Sequence, residues 1–239
     1  ERGKVVQAWG YNEQVPGPTI RVEVGDKVAI VVHNELPEYT ALHSHGFIVP
    51  NGMDGVPDIT QKAIKPGDSF TYAFTVREPM VGMYHSHFDA QVQVTNGMLG
   101  AFYAGHMPLP TGTPAPAVDQ PMILNDAGVI GLSLNGKSFP ATAPIVAKVG
   151  DWVKVDYMNE GLQIHPMHLH GVPQLVIAKD GYPLTSPRLE DTVVVAPGER
   201  ISVLVHATEI GTWAWHCHIL SHAERADGMF GMVTALVVQ

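Results

Sequence analysis

Apolar and polar residues alternate in short runs along the whole chain, the period-two pattern of strands that bury one face. The clearest runs are Thr19–Val24 (TIRVEV), Lys27–Val32 (KVAIVV), Phe70–Val76 (FTYAFTV), Trp152–Tyr157 (WVKVDY) and Ile201–Val205 (ISVLV). They are β-branched or aromatic and bounded by Gly, Pro or Asn, and no long amphipathic helix competes with them, so an all-β fold is predicted. The chain also repeats itself. Val24-Gly25-Asp26 with Asn34-Glu35 returns as Val149-Gly150-Asp151 with Asn159-Glu160, and His43-x-His45-Gly46 returns as His168-x-His170-Gly171, both 125 residues on. Pro66-Gly67 then matches Pro197-Gly198, and His85-Ser86-His87 matches His216-Cys217-His218, now 131 residues on. The six extra residues are expected in a loop of the second copy. Between the copies, Pro108–Pro116 is Pro-rich and charge-free, a stiff extended linker. The pattern therefore predicts two tandem Greek-key β-sandwich domains, residues 1–106 and 120–239, joined by a linker over 107–119.

Composition narrows the partners. The 239 residues carry a formal net charge of −9, with 24 Gly and 19 Pro. Nucleic acids and anionic membranes are recognised by basic patches, which this acidic chain does not offer. No apolar run approaches the roughly 20 residues of a membrane helix. No signal peptide precedes Glu1, as expected of a mature or trimmed chain. The single Cys excludes an intrachain disulfide.

The chemistry is concentrated in histidine. Trp213–Ile219 reads as a strand, whose successive side chains point to opposite faces. Cys217 then faces one way, and His216 and His218 the other. A Cys thiolate with the imidazoles of His165 and His222 and a weak thioether is the ligand set of a blue-copper centre. Met229 is the preferred thioether because Met98 stands 131 residues before it; Met232 is a nearby competitor. Four His-x-His pairs, His43/His45, His85/His87, His168/His170 and His216/His218, supply eight further imidazoles. One such pair could be accidental. Four exceed the needs of zinc, which takes four protein ligands in a structural site and three in a catalytic one. Where the second copy has His165, Cys217, His222 and Met229, the first has Thr40, Ser86, Gln91 and Met98, and only the last can ligate soft copper. The first copy is thus expected to hold no blue-copper site, yet to contribute four imidazoles to a shared cluster. His33, His106 and His206 lack partner motifs and read as surface or packing residues; Met53, Met80, Met83, Trp213 and Trp215 read as core.

These motifs, over nearly the whole chain, resemble the multicopper oxidases, specifically two-domain laccase-like members with type 1 copper in the second domain only. The resemblance implies two cupredoxin-like domains and about four coppers per chain. It assigns His165, Cys217, His222 and Met229 to type 1 copper. His43 and His168 fall to type 2 copper, and His45, His85, His87, His170, His216 and His218 to the type 3 pair. It also implies one-electron oxidation of small donors such as phenols or aromatic amines, coupled to reduction of O2 to water. Asp54, in Met53-Asp54-Gly55, matches the family's proton-relaying acid; the competing role is a turn residue before Gly. A second family acid is unmatched, since Leu220, Ser221 and Ala223 cannot ionise and only Glu224 lies near; Arg225-Ala226 look inserted. A homotrimer with clusters between subunits, and a secreted or periplasmic location, are further implications. A copper nitrite reductase, which needs only three imidazoles at its second site, and a non-enzymatic copper carrier are the alternatives.

Overall fold

The computed structural model describes residues 4–239. It divides into a compact unit Trp9–Met107 and a second formed by Pro108–Gln239 with the N-terminal stretch ending at Ala8. The first unit contains β1 (Ile20–Val22), β2 (Lys27–His33), β3 (Leu42–His45), β4 (Ser69–Thr75), β5 (Met80–Ser86) and β6 (Leu99–Ala104). The second contains β7 (Val118–Ala127), β8 (Gly131–Leu134), β9 (Ile145–Ala147), β10 (Trp152–Asn159), β11 (His165–Leu169), β12 (Gln174–Lys179) and β13 (Tyr182–Glu190). It continues with β14 (Thr192–Val195), β15 (Arg200–His206), β16 (Gly211–Cys217), β17 (Glu224–Arg225), β18 (Gly228–Met229) and β19 (Val233–Val238).

In the first unit the sheet β1-β6-β5-β3 packs against the pair β2-β4. Alternation decides which side chains meet: Val28, Ile30 and Val32 of β2 and Phe70, Tyr72 and Phe74 of β4 turn inward onto Leu42, Tyr84 and Phe102. In the second unit the sheets β13-β12-β15-β10-β7-β8 and β14-β11-β16-β19-β9 enclose a larger core. Val153, Val155 and Val203 from one face meet Met167, Leu169, Trp215, Cys217 and Leu236 from the other. Both are Greek-key β-sandwiches, as the alternation predicts. Among the described residues the helices are short, α1 (Ala90–Gln93) and two 3-10 turns, and none is long and apolar enough to cross a membrane.

The repeat has a physical basis in shared hydrogen bonds. Asn34 Nδ2 donates to the carbonyls of Glu38 and Ile64, and Asn159 Nδ2 to those of Gln163 and Val195. Each buried amide thus clips the loop that leads into a histidine strand, and leaves no orphaned polar group. The structure departs from expectation in three places. The segment holding the six extra residues is not a loop, because Gln174–Glu190 folds into the β12–β13 hairpin, turned at Asp180-Gly181 with φ of 53° and 83°. Asp-Gly between apolar runs is the signal for such a turn. The run Trp152–Tyr157 alternates in sequence, yet β10 is buried on both faces. Its outward Lys154 is satisfied by Asp156 at 2.6 Å and Asp119 at 3.0 Å. β7 begins at Val118, inside the predicted linker, because that residue already pairs with Val153.

Candidate metal centre

His165, Cys217 and His222 are all buried, and their ligand atoms lie within 4.8 Å of one another. Cys217 ends β16; its Sγ is 3.7 Å from His165 Nδ1 and 3.6 Å from His222 Nδ1. His165 opens β11 and is carried beside Cys217 by the register Met167↔Cys217. His222 closes the 3-10 turn Leu220–His222. Burial pushes the Cys217 thiol up to about 11, so a metal must displace its proton on binding. Burial also lowers His222, reinforced by the neighbouring His165, and keeps it a neutral ligand.

A residue without any sequence motif completes this site. Asp126, on β7, places Oδ2 2.9 Å from His165 Nε2, with both side chains fully enclosed. Its carboxylate accepts the backbone N–H of Leu162 at 3.0 Å and of Gln163 at 2.8 Å. Burial alone raises this carboxyl, but His165 and the two N–H groups outweigh it and hold it below its ordinary value.

The two candidate thioethers, Met229 and Met232, differ in backbone position. The spacing argument pairs Met229 with Met98, but the backbone pairs Met98 with Met232. Ser86 N–H donates to Met98 O at 3.1 Å in the first unit, and Cys217 N–H donates to Met232 O at 3.0 Å in the second. Met232 is therefore the cross-strand neighbour of Cys217, whose side chains share a face, and it is fully buried in the same core. Met229 lies in the hairpin β17–β18, paired with Glu224 and half-buried. The inserted residues build that hairpin and displace Met229 from the strand register.

The first unit carries the same position, closed by hydrogen bonds. Thr40 and Ser86 hydroxyls donate to Gln93 Oε1 at 2.8 and 2.5 Å, and Gln93 Nε2 donates to Glu38 and to the Tyr39 carbonyl. Gln93, not Gln91, stands in for His222. Helix α1 replaces the 3-10 turn and shifts the register, leaving Gln91 exposed.

The paired histidines gather within each unit. The register His43↔His85 sets two of them side by side, and ligand atoms of His43, His45 and His85 lie within 4.8 Å of one another. His87 joins them, its ring 5.6 Å from that of His43. The matching register His168↔His216 holds the second group, with His170 Nε2 3.0 Å from His216 Nε2 and the His218 ring 5.6 Å from His168. β16 stops at Cys217, yet the His216 and His218 rings still stack on one side, 5.6 Å apart. Backbone carbonyls fix the ring orientations: Asp54 O lies 2.7 Å from His43 Nδ1, Asp191 O 2.9 Å from His168 Nδ1, and Cys217 O 2.9 Å from His216 Nδ1. Each engages Nδ1, so Nε2 is the nitrogen that faces the histidine cluster. Desolvation lowers His85 to about 4, aided by His43 and His87 against the Ser86 carbonyl bond, and lowers His216 in the same direction. Imidazoles gathered this way form a donor set that suits a metal cation.

Asp54 caps the 3-10 turn Asn51–Met53, and its Oδ1 lies 3.5 Å from His43 Nδ1. Gly55 makes this approach possible, since at φ 82° a Cβ there would fall 1.9 Å from Leu42 O.

Comparison with known proteins places this geometry. Family profiles described as multicopper oxidase match residues 1–106 and 112–238. The chain belongs to the multicopper oxidase family. It is 27% identical over 248 residues to Laccase-1 of Cryptococcus neoformans var. grubii, covering 85% of this chain and 39% of that protein. It spans less than half the length of such curated relatives, 49% in the case of the multicopper oxidase MmcO of Mycobacterium tuberculosis, which is 28% identical. Among solved structures, the blue copper oxidase from Nitrosomonas europaea superposes with a TM-score of 0.84 at 33% identity, over 95% of this chain and 78% of that one. A copper nitrite reductase from Nitrosomonas europaea superposes at 0.81, but at 21% identity that likeness shows the fold alone.

Proposed function

We propose that the chain acts as a laccase-type oxidase, oxidising small donors such as phenols or aromatic amines one electron at a time and reducing O2 to water. The observation that carries this reading is the pairing of a buried His165–Cys217–His222 set with two groups of four imidazoles, eight in all, which exceeds what a nitrite reductase or a simple carrier needs. Thiolate with two imidazoles suits copper in both oxidation states, and neutral imidazoles suit it equally. Copper held by His165, Cys217 and His222 would supply one-electron transfer from a donor, and copper held by the paired histidines would supply the reduction of O2. The residues do the rest. Cys217 joins His216 and His218 through single peptide bonds, the shortest covalent path between the two ligand sets. His43 and His168 would serve type 2 copper, and His45, His85, His87, His170, His216 and His218 the type 3 pair, about four coppers per chain. We further propose a homotrimer, with each cluster drawing four histidines from the first unit of one chain and four from the second unit of its neighbour. Donor-dependent oxygen uptake without nitrite consumption is the expected activity; nitrite reduction without oxygen uptake would overturn the reading.

In this reading Met232, rather than Met229, would supply the thioether beside His165, Cys217 and His222. A weak fourth donor is worth more to Cu(II) than to Cu(I), which accepts three ligands, so Met232→Leu should raise the potential of the blue site while keeping its colour, and Met229→Leu should leave the potential unchanged. A redox titration of the blue band separates them, and the opposite pattern restores Met229.

Asp54 Oδ1 is placed to hold a proton beside His43, and the carboxylate is about one-third exposed, giving it access to solvent. Asp54→Asn should slow turnover by ~10²-fold when oxygen reduction limits the rate, and should reshape its pH profile. Reduction of the blue site by donor should be unchanged, since none of its ligands touches Asp54. Unaltered turnover under those conditions returns Asp54 to the role of a turn residue.

A further inference from the structure

Asp126 is a fully enclosed carboxylate whose Oδ2 lies 2.9 Å from Nε2, the outer nitrogen of the His165 imidazole. Three features make it a built contact. Two backbone N–H groups, from Leu162 and Gln163, fix the carboxylate. Gly161 leaves room for it, because a Cβ there would sit 2.7 Å from Asp126 Oδ2. Asn159 holds that loop in turn, accepting the Gly161 N–H at 2.9 Å. With Nε2 2.9 Å from Asp126 Oδ2, His165 presents Nδ1 to a metal, and Nδ1 lies 3.7 Å from Cys217 Sγ.

Charge sets the consequence. In a buried site a net charge is costly. The Cys217 thiolate and the Asp126 carboxylate together bring two negative charges, which Cu(II) neutralises and Cu(I) does not. A carboxylate on the far nitrogen also makes the imidazole a stronger donor. Both effects favour the oxidised metal.

We infer that Asp126 is a positioning residue that fixes His165 for ligation through Nδ1 and holds the potential of the blue-copper site down, thereby setting which donors can reduce it. This rests on reading His165, Cys217 and His222 as that site. The test is a redox titration of the blue absorption band in the copper-loaded full chain, for wild type, Asp126→Asn and Gly161→Ala. Asp126→Asn keeps size and an acceptor oxygen but removes the charge, and should shift the potential upward. Gly161→Ala keeps every charge but presses a methyl onto Oδ2, and should shift it upward by less. If Asp126→Asn folds poorly or loads copper without colour, Gly161→Ala decides, with an unchanged or lowered potential overturning the inference. The same result in a blue Asp126→Asn protein overturns it directly. A colourless wild type would instead refute the blue-copper reading beneath it.

Discussion

Cys217→Ser should remove the blue band and bring oxidase turnover to background, while the protein stays folded and its paired histidines still bind copper. A serine hydroxyl is hard and stays protonated at neutral pH, so it cannot replace the soft thiolate that the trigonal copper site requires. The fold should survive because the side chain is nearly the same size. The buried hydroxyl costs about 1–3 kcal/mol if it finds no partner, well within what a domain tolerates. The first unit provides the mirror image. There Ser86 occupies the position of Cys217 and is held with Thr40 by Gln93. Ser86→Cys alone should create no second blue site, because both imidazoles are missing, whereas combining it with Thr40→His and Gln93→His supplies the full donor set. Visible spectra of the copper-loaded variants check both. A Cys217→Ser protein that stays blue, or a Ser86→Cys protein with a second blue centre, contradicts the assignment.

Mixing two inactive variants should restore activity. In one, His43 and His45 are replaced; in the other, His168 and His170. If each cluster takes one half from each of two neighbouring chains, the contact is head-to-tail and closes as a ring. Unfolding the variants together, mixing them equally and reassembling with copper should then restore roughly a quarter of the sites, since random pairing brings an intact first half to an intact second half that often. Clusters formed within single chains always contain a damaged half. Oxygen uptake by the mixture distinguishes the cases, and no recovery at all would remove the inter-subunit cluster from the account.

Much of this was legible in the sequence, and the failures have identifiable causes. The strands β2 and β4 face water on one side, so their alternation survives intact; β10 is buried on both, and its polar positions are answered by ion pairs that no local pattern announces. Cys217 between its histidines and the four His-x-His pairs were legible because their spacing is local. Residue counting failed where the backbone changed register. Helix α1 moved the equivalent of His222 from Gln91 to Gln93, and the β17–β18 hairpin moved the equivalent of Met98 from Met229 to Met232. The Asp180-Gly181 turn was a readable hairpin signal that the repeat arithmetic obscured. Asp126 had no signal at all. It reaches His165 from a strand remote in sequence, and only the folded register of β7 beside β10 brings it near.

Copper content measured together with the visible spectrum tests the central claim most directly. The copper-loaded protein should bind about four coppers per chain and display one blue band that Cys217→Ser removes, leaving about three. A single copper per chain with the blue band intact would leave no metal for the eight paired imidazoles, and would contradict the oxygen-reducing cluster on which the proposed function depends.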